Sequence, residues 1–344
     1  MGLIDQTLLT NFIARAEKED VGAFISIGGW TGSRYFSTNV QPSNQDGFVQ
    51  AVVSLIKQYK LAGVDFDWEY PNHQGVGCNV ISPDDTTNYL SFLQKLRTAV
   101  GPHVQLSASV GLTPFAGSGG SPSTDVSGFS KVLNYIAVMN YDVWGSWSST
   151  VGPNAPLYDS CAPQQDGSAQ SAVKAWTSAG FPAEQIVLGV AAYGHSFSVD
   201  NSAAVVNNAL SLYPAFNKYH QPLGQGETNT TTTDECGNPA GPSGIWNFSG
   251  MVTAGFLQND NGKVTAAPGM FYTYDTCSQT PFVYNPKTQV MVSFDDATSF
   301  AAKGKYINEN RLLGFAMWDA TGDTSQDTLI EAISGAIGIE QHCD

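Results

Sequence analysis

The chain has 344 residues, 42% of them hydrophobic, a size that suits one large α/β domain or two average domains. Its formal net charge of −15 comes from 15 basic and 30 acidic residues, and it argues against nucleic acid or an anionic membrane as partner, since both need a basic patch. The sequence contains no uninterrupted run of about 18 apolar residues, the length that a membrane-spanning helix requires.

Along most of the chain, short apolar runs alternate with amphipathic stretches, a pattern typical of βα units around a parallel sheet. The first 22 or so residues lack the zones of a secretory signal and predict an amphipathic helix with Leu8, Leu9, Phe12 and Ile13 on one side. The predicted strands are 22–28, 63–68, 104–110, 135–141, 186–193 and 312–318. The predicted helices are 45–59, 83–100, 167–179, 297–310 and 324–337.

One stretch, residues 198–285, breaks this alternation. It is rich in Asn, Thr, Gly and Pro and contains no apolar run of the buried parallel type, so it predicts an α+β subdomain inserted between the fifth and sixth strands. The predicted organisation is therefore a (β/α) domain of residues 1–197 and 286–344 with an insertion at 198–285.

The five cysteines, one of them Cys343, are scattered and form no CxxC pair, which favours the disulfides of a secreted protein over a zinc site. Their odd number leaves one thiol unpaired or bonded outside this chain. The sequons at Asn229 and Asn247 fit the same compartment. We therefore expect an extracellular protein, although no signal peptide is recognised, and the absence of a ligand cluster predicts no metal and no cofactor.

The strongest chemical feature is the segment GVDFDWEYP, in which Asp65, Asp67 and Glu69 occupy every second position. In a strand this period places the three carboxylates on one face, about 6.6 Å apart. Repulsion and desolvation then raise the pKa of at least one of them, which keeps a carboxylic acid protonated for use as a general acid. Glu69, at the end of the strand, is best placed to protrude into a cleft. The alternative, an exposed acidic strand or a calcium site, would leave the intervening apolar residues on a solvated strand.

The segment GVDFDWEYP resembles the catalytic strand of the family 18 glycoside hydrolases, the chitinases. Four further segments resemble motifs of that family in the same order along the chain. They are Ser26–Trp30 (SIGGW), Met139–Asp142 (MNYD), Tyr193–Phe197 (YGHSF) and Trp318–Asp323 (WDATGD). The resemblance extends from about residue 22 to residue 330. It implies a (β/α)8 TIM-type barrel, with residues 198–285 as the chitinase insertion domain.

The resemblance also implies an endo-acting chitinase that hydrolyses β-1,4-linked N-acetylglucosamine polymers with retention, using the acetamide group of its own substrate. Glu69 would be the general acid and base, Asp67 would orient the acetamide, and Asp65 would share a proton behind it. Tyr141 would donate its hydroxyl to the acetamide oxygen. The implied sugar-binding residues are Trp30, Met139, Asp142, Trp147, Tyr193 and Trp318, the last as the floor of the site. Trp176 is predicted to lie in the core, and Trp144 is not assigned.

Three features depart from the family pattern. Ala62 stands where the catalytic strand usually begins with another Asp, and His195 stands where the family often has Arg. Family barrels also have two strands before the SxGG strand, whereas the residues that precede it here predict a helix. We therefore expect an α/β barrel that lacks its first two strands.

Two other functions stay open. A non-hydrolytic, lectin-like protein would bind chitin without cleaving it, and an endo-β-N-acetylglucosaminidase would act on N-glycans by the same mechanism. The presence of Glu69 favours an enzyme, and the predicted insertion favours a chitinase. The expected partner is chitin or chitooligosaccharides, with no nucleic acid and no membrane, and we expect a monomer if the barrel is complete.

Overall fold

The computed structural model describes residues 5–339, which divide into two compact units. The first unit contains the residues up to Val138 together with Lys174–Val187, and the second contains Met139–Val173 and the residues from Leu188 on. Helix α7 (Ala169–Ser178) and strand β5 (Ile186–Ala191) contribute to both units. Short 3-10 helices occupy Ser33–Tyr35, Ala183–Gln185 and Ala320–Gly322.

The first unit alternates strands and helices. Its elements are α1 (Gln6–Lys18), β1 (Phe24–Gly28), α2 (Gly29–Gly32), α3 (Phe36–Asn39), α4 (Gln45–Tyr59), β2 (Gly63–Asp67), α5 (Asp85–Val100), β3 (Gln105–Val110), α6 (Ser127–Ser130) and β4 (Tyr135–Val138). The four strands pair in parallel, each with the next. Their register aligns Ser26 of β1, Asp65 of β2 and Ser107 of β3.

The second unit is built mainly from antiparallel strands. Its elements are β6 (Tyr193–Ser198), α8 (Asn201–Ala204), β7 (Val205–Val206), β8 (Ala209–Leu210), β9 (Thr232–Thr233), β10 (Pro239–Ala240), β11 (Ile245–Asn247), α9 (Phe248–Thr253), β12 (Leu257–Asp260), β13 (Lys263–Ala266), β14 (Phe271–Asp275), β15 (Thr280–Asn285), β16 (Val290–Ser293), α10 (Ala297–Glu309), β17 (Gly314–Trp318) and α11 (Thr328–Ile337). Five of its strands form one sheet in the order β11-β6-β16-β15-β14.

The predicted six strands are confirmed, and they form one sheet in the order β1-β2-β3-β4-β5-β17. The fifth predicted strand, 186–193, ends earlier than expected, at Ala191. The reason is non-local, because the chain from Tyr193 on pairs with β16 and β11 in the antiparallel sheet. That sheet therefore also uses strands on both sides of residues 198–285, and the predicted domain boundaries stay a prediction.

The predicted first helix is present as α1, which the Asp5 side chain caps by accepting hydrogen bonds from the N–H groups of Thr7 and Leu8. Its apolar side is only partly covered, since Leu9 is buried whereas Leu8 and Phe12 are 68% and 57% exposed. No helix among residues 5–339 is both long and apolar enough to cross a membrane.

The cysteines form disulfides, as their scatter predicts. Cys161 is bonded to Cys277 within the second unit. Cys78 and Cys236 are each disulfide-bonded as well. Cys343 lies outside the described residues.

Strand β2 is anchored through one face by aromatic side chains of the first unit. Phe66 and Trp68 are almost fully buried, and Trp68 stacks on Phe36 at 5.1 Å and contacts Tyr89 edge to face at 5.2 Å. The core position predicted for Trp176 is confirmed, because its ring is buried and its indole N–H donates to the carbonyl of Gly111 at 3.0 Å. Burial of this kind leaves the strand one orientation, with its carboxylates on the other face.

A buried ion pair anchors α10 in the second unit. Lys303 Nζ lies 2.5 Å from Asp295 Oδ1, and both side chains are inaccessible to solvent. Burial raises the pKa of Asp295 to about 6 although Lys303 opposes the shift. The adjacent Asp296 caps α10 by accepting hydrogen bonds from the N–H groups of Thr298 and Ser299. The start of α10 is therefore fixed by both the buried ion pair and the cap.

We expect Lys303→Met to lower the free energy of unfolding by about 3–5 kcal/mol at neutral pH, because it leaves the Asp295 carboxyl buried without its cation. Lys305→Met is the matched control on the same helix, since Lys305 is exposed and its 3.7 Å pair with Glu309 is worth under about 1 kcal/mol. Urea unfolding measures both variants. Equal stability of the two variants would contradict a structural role for the buried pair.

Candidate active site

The first part of the candidate site is the row of carboxylates that β2 and the residues after it carry, Asp65, Asp67 and Glu69, which we call the carboxylate row. Val64, Phe66 and Trp68 are at most 2% exposed, whereas Asp65 and Asp67 are only partly buried on the opposite face. This alternation is the one predicted, and it excludes a strand that is solvated on both faces.

Asp65 is held by three serine hydroxyls. Ser107 Oγ donates to Asp65 Oδ1 at 2.7 Å, while Ser26 Oγ and Ser109 Oγ donate to Asp65 Oδ2 at 2.8 and 3.0 Å. We call these three residues the serine cradle. Ser26 lies in the predicted SxGG strand, whereas Ser107 and Ser109 lie outside the motifs recognised in the sequence. Their signal is two serines at positions i and i+2 of a predicted strand, QLSASV, which places both on one face.

Asp67 has a different environment from Asp65. Its Oδ1 atom is buried and has no hydrogen-bond partner among the described residues. Burial, followed by the charges of Glu69 and Asp65, raises the pKa of Asp67 to about 8. One carboxyl in the middle of the row therefore keeps a proton at neutral pH, as the spacing predicts.

Glu69 follows the end of β2 and is held through its backbone. Its N–H donates to Ser33 Oγ at 2.9 Å, and its carbonyl accepts from Asn79 Nδ2 at 2.7 Å. The same Ser33 hydroxyl donates to the carbonyl of Asp67 at 3.0 Å. The backbone is also packed closely, since a Cβ at Gly75 would lie 2.2 Å from the Glu69 carbonyl oxygen. These contacts fix the backbone from which the Glu69 side chain projects.

Trp30 lies beside the end of the neighbouring strand. It belongs to α2 and is 51% exposed, as suits a sugar-stacking residue. The preceding Gly28 has φ of 121°, and a Cβ there would lie 2.0 Å from the carbonyl oxygen of Asp67. Only glycine permits the backbone at residue 28 to come this close to the backbone at Asp67.

The second unit places Asp142, Tyr193 and His195 together. Tyr193 Oη donates to Asp142 Oδ1 at 2.8 Å, and His195 Nε2 lies 2.7 Å from the same oxygen. Asn154 Oδ1 accepts from the Asp142 N–H, and Asn154 Nδ2 donates to the Tyr193 carbonyl. His195 thus contacts the carboxylate from the position where the resemblance implies an arginine.

The aromatic residues predicted to bind sugars differ in exposure. Trp147 and Trp318 are 60% and 61% exposed, and Trp147 contacts the His195 ring edge to face at 5.3 Å. Tyr141 contacts Tyr193 edge to face, and Met139 is half-buried. Trp144, which the sequence leaves unassigned, is 2% exposed and belongs to the core.

Comparisons with known proteins agree with the motifs. A family model described as glycosyl hydrolases family 18 matches residues 5–323. The chain is 46% identical over 96% of its length to a chitinase-like effector of Moniliophthora roreri, covering 81% of that protein. It is 43% identical over 97% of its length to a chitinase-like effector of Moniliophthora perniciosa, covering 76% of that protein.

A crystal structure of a chitinase from Rhizomucor miehei is similar with a TM-score of 0.88 and 33% identity, over 98% of this chain and 90% of that one. The likeness confirms the predicted fold, the (β/α)8 barrel of the family, of which the described residues of this chain form six strands. The chain belongs to glycosyl hydrolase family 18.

Proposed function

We propose that this chain is an endo-acting chitinase that hydrolyses β-1,4-linked N-acetylglucosamine polymers with retention of configuration. The carboxylate row is the observation that carries the proposal. Asp67 keeps its proton up to a pH of about 8 and stands next along the row to Glu69. General acid catalysis near neutral pH requires a carboxyl group that is still protonated there, and the proton of Asp67 can pass to Glu69, the residue that delivers it.

In the proposed reaction, Glu69 protonates the glycosidic oxygen as the bond from that oxygen to the anomeric carbon breaks. The acetamide oxygen of the same sugar attacks the anomeric carbon and forms an oxazolinium ion, so the protein supplies no nucleophile. Asp67 orients the acetamide, and as the carboxylate that remains once its proton has passed to Glu69 it stabilises the developing positive charge. Water then attacks the anomeric carbon, and the bond from that carbon to the acetamide oxygen breaks as the ring opens. The Glu69 carboxylate takes a proton from this water, which restores the acid.

The second unit supplies the sugar-binding residues in this proposal. Tyr141 donates its hydroxyl to the acetamide oxygen, and Asp142, held by Tyr193 and His195, accepts from a sugar hydroxyl. The exposed faces of Trp147 and Trp318, like that of Trp30 in the first unit, suit the apolar C–H faces of pyranose rings. Met139 completes this set. The disulfides support an extracellular location.

The second candidate function is chitin binding without hydrolysis. Its support is that the two Moniliophthora relatives are named chitinase-like effectors. The complete carboxylate row supports the enzyme instead. An endo-β-N-acetylglucosaminidase that acts on N-glycans uses the same chemistry, and hydrolysis assays on chitin oligosaccharides and on a high-mannose glycoprotein separate the two substrates.

We expect Glu69→Gln to lower kcat on chitin oligosaccharides by at least about 10²-fold, because the amide cannot deliver a proton. Binding should persist, since the amide is nearly isosteric with the acid, and calorimetry measures it. Glu184→Gln, at an exposed carboxylate of the same unit, is the control and should keep full activity. Oligosaccharide binding by the wild-type chain with no product by mass spectrometry would instead establish the lectin-like function.

Asp67→Asn should change how stability depends on pH. The unfolded chain releases this proton near pH 3.8, whereas the folded chain keeps it to about pH 8. Between those values the folded state binds more protons, so this group lowers the free energy of unfolding by about 1.4 kcal/mol per pH unit as pH rises. The variant should lack that decline. Chemical unfolding across the pH range tests this, with Asp84→Asn as an exposed control. Parallel pH profiles for wild type and Asp67→Asn would refute it.

Trp318→Ala should weaken binding of chitin oligosaccharides to the Glu69→Gln variant about tenfold, which corresponds to about 1.4 kcal/mol of lost stacking. Tyr219→Ala is the control, because Tyr219 is fully exposed and lies outside every predicted motif. Calorimetric titration gives both dissociation constants. Unchanged affinity for Trp318→Ala would remove this residue from the sugar-binding set.

A further inference from the structure

We propose that Ser107 and Ser109 are positioning residues that hold Asp65 as the ionised member of the carboxylate row and thereby place the proton of the row on Asp67. This inference deepens the proposed function and, for its consequence in catalysis, rests on it. The family resemblance implies that Asp65 shares a proton with Asp67. The contacts of Asp65 argue for an unequal division instead.

The geometry of the serine cradle favours a charged Asp65. Three hydroxyls donate to its two oxygens, at 2.7, 2.8 and 3.0 Å. An ionised carboxylate only accepts hydrogen bonds, whereas a protonated one must also donate, so three donors favour the anion. Asp67 Oδ1, by contrast, is buried and accepts no hydrogen bond from the described residues. Protonating Asp67 therefore costs less free energy than protonating Asp65.

The register of the sheet accounts for the cradle. Asp65 of β2 is directly opposite Ser26 of β1 on one side and Ser107 of β3 on the other. Ser109 lies two residues further along β3, opposite Asp67, and its side chain points to the same face. Two of the three donors therefore come from one strand, and that strand has no other role in the proposed function.

No titratable group near Asp65 among residues 5–339 supplies a counter-charge. The groups are Asp67 and Glu69 along the chain, Tyr89 from α5 and Tyr135 from β4. Tyr89 is fully buried, and burial together with the charges of Asp65 and Asp67 raises its pKa well above the ordinary value. None of these four groups is a cation. The hydroxyl dipoles of the serine cradle therefore stabilise the Asp65 charge.

In the proposed reaction, the charge on Asp65 determines which carboxyl group carries the proton before catalysis. With Asp65 ionised, the proton for which Asp65 and Asp67 compete lies on Asp67, next to Glu69. Loss of cradle donors would draw that proton towards Asp65, away from the residue that must deliver it. Ser107 and Ser109 would thus act on the reaction through Asp65 without touching the substrate.

The test follows the Asp65 carboxyl directly by a ¹³C NMR titration of the full chain, with Asp65→Asn used to assign its signal. In Ser109→Ala the midpoint of Asp65 should rise by about one pH unit, the effect of losing one hydrogen bond to a charged group. Ser107→Ala should do the same. Ser109→Thr keeps the hydroxyl and should restore the wild-type midpoint. Ser91→Ala is the control, since that hydroxyl contacts Gln45 instead.

An Asp65 midpoint that is unchanged in Ser109→Ala, or that Ser109→Thr does not restore, would overturn the proposal. Should the fully buried Ser107 not tolerate replacement, the half-buried Ser109 pair carries the test. The titration needs no turnover, so a chain that binds chitin without cleaving it would contradict the proposed function and leave this inference standing. If the chain is active, the acidic limb of its kcat profile should move up by the same shift in Ser109→Ala.

Discussion

The crowding of negative charge along one strand is the constraint on which the rest of the site depends. Three carboxyl groups at every second position of β2 and its extension cannot all be ionised at low cost. The structure meets this in two ways. The apolar face of the strand is packed between aromatic rings, which fixes the carboxylates in place. On the other face, serine hydroxyls donate hydrogen bonds to Asp65. Burial keeps Asp67 protonated and therefore neutral.

This arrangement requires close and exact packing of backbone around the strand end. Gly28 and Gly75 let neighbouring chain segments approach the carbonyls of Asp67 and Glu69 to distances that a side chain would block. Ser33 bridges the same two residues by accepting from one and donating to the other. The main chain of the acid is thus held in place by contacts on both of its sides.

The second unit applies the same principle to a single carboxylate. Asp142 is held by Tyr193 and His195 at one oxygen, and its backbone is tied to β6 through Asn154. His195 also supports the exposed Trp147. The imidazole is shorter than the arginine that the family resemblance implies here, and it reaches one oxygen of Asp142 while being nearly buried itself. The His195 side chain therefore contacts both the Asp142 carboxylate and the Trp147 ring.

The sequence by itself determined the alternation of strands and helices, the face that carries Asp65, Asp67 and Glu69, and the core position of Trp176, because these follow from local period and apolar pattern. It could not determine which hydroxyls reach Asp65, since Ser107 and Ser109 meet it only through the register of neighbouring strands. The end of β5 at Ala191 and the pairing of Lys303 with Asp295 were likewise decided by tertiary structure. In each case the deciding contact joins residues from separate elements, and the energy of that contact exists only once the elements have packed.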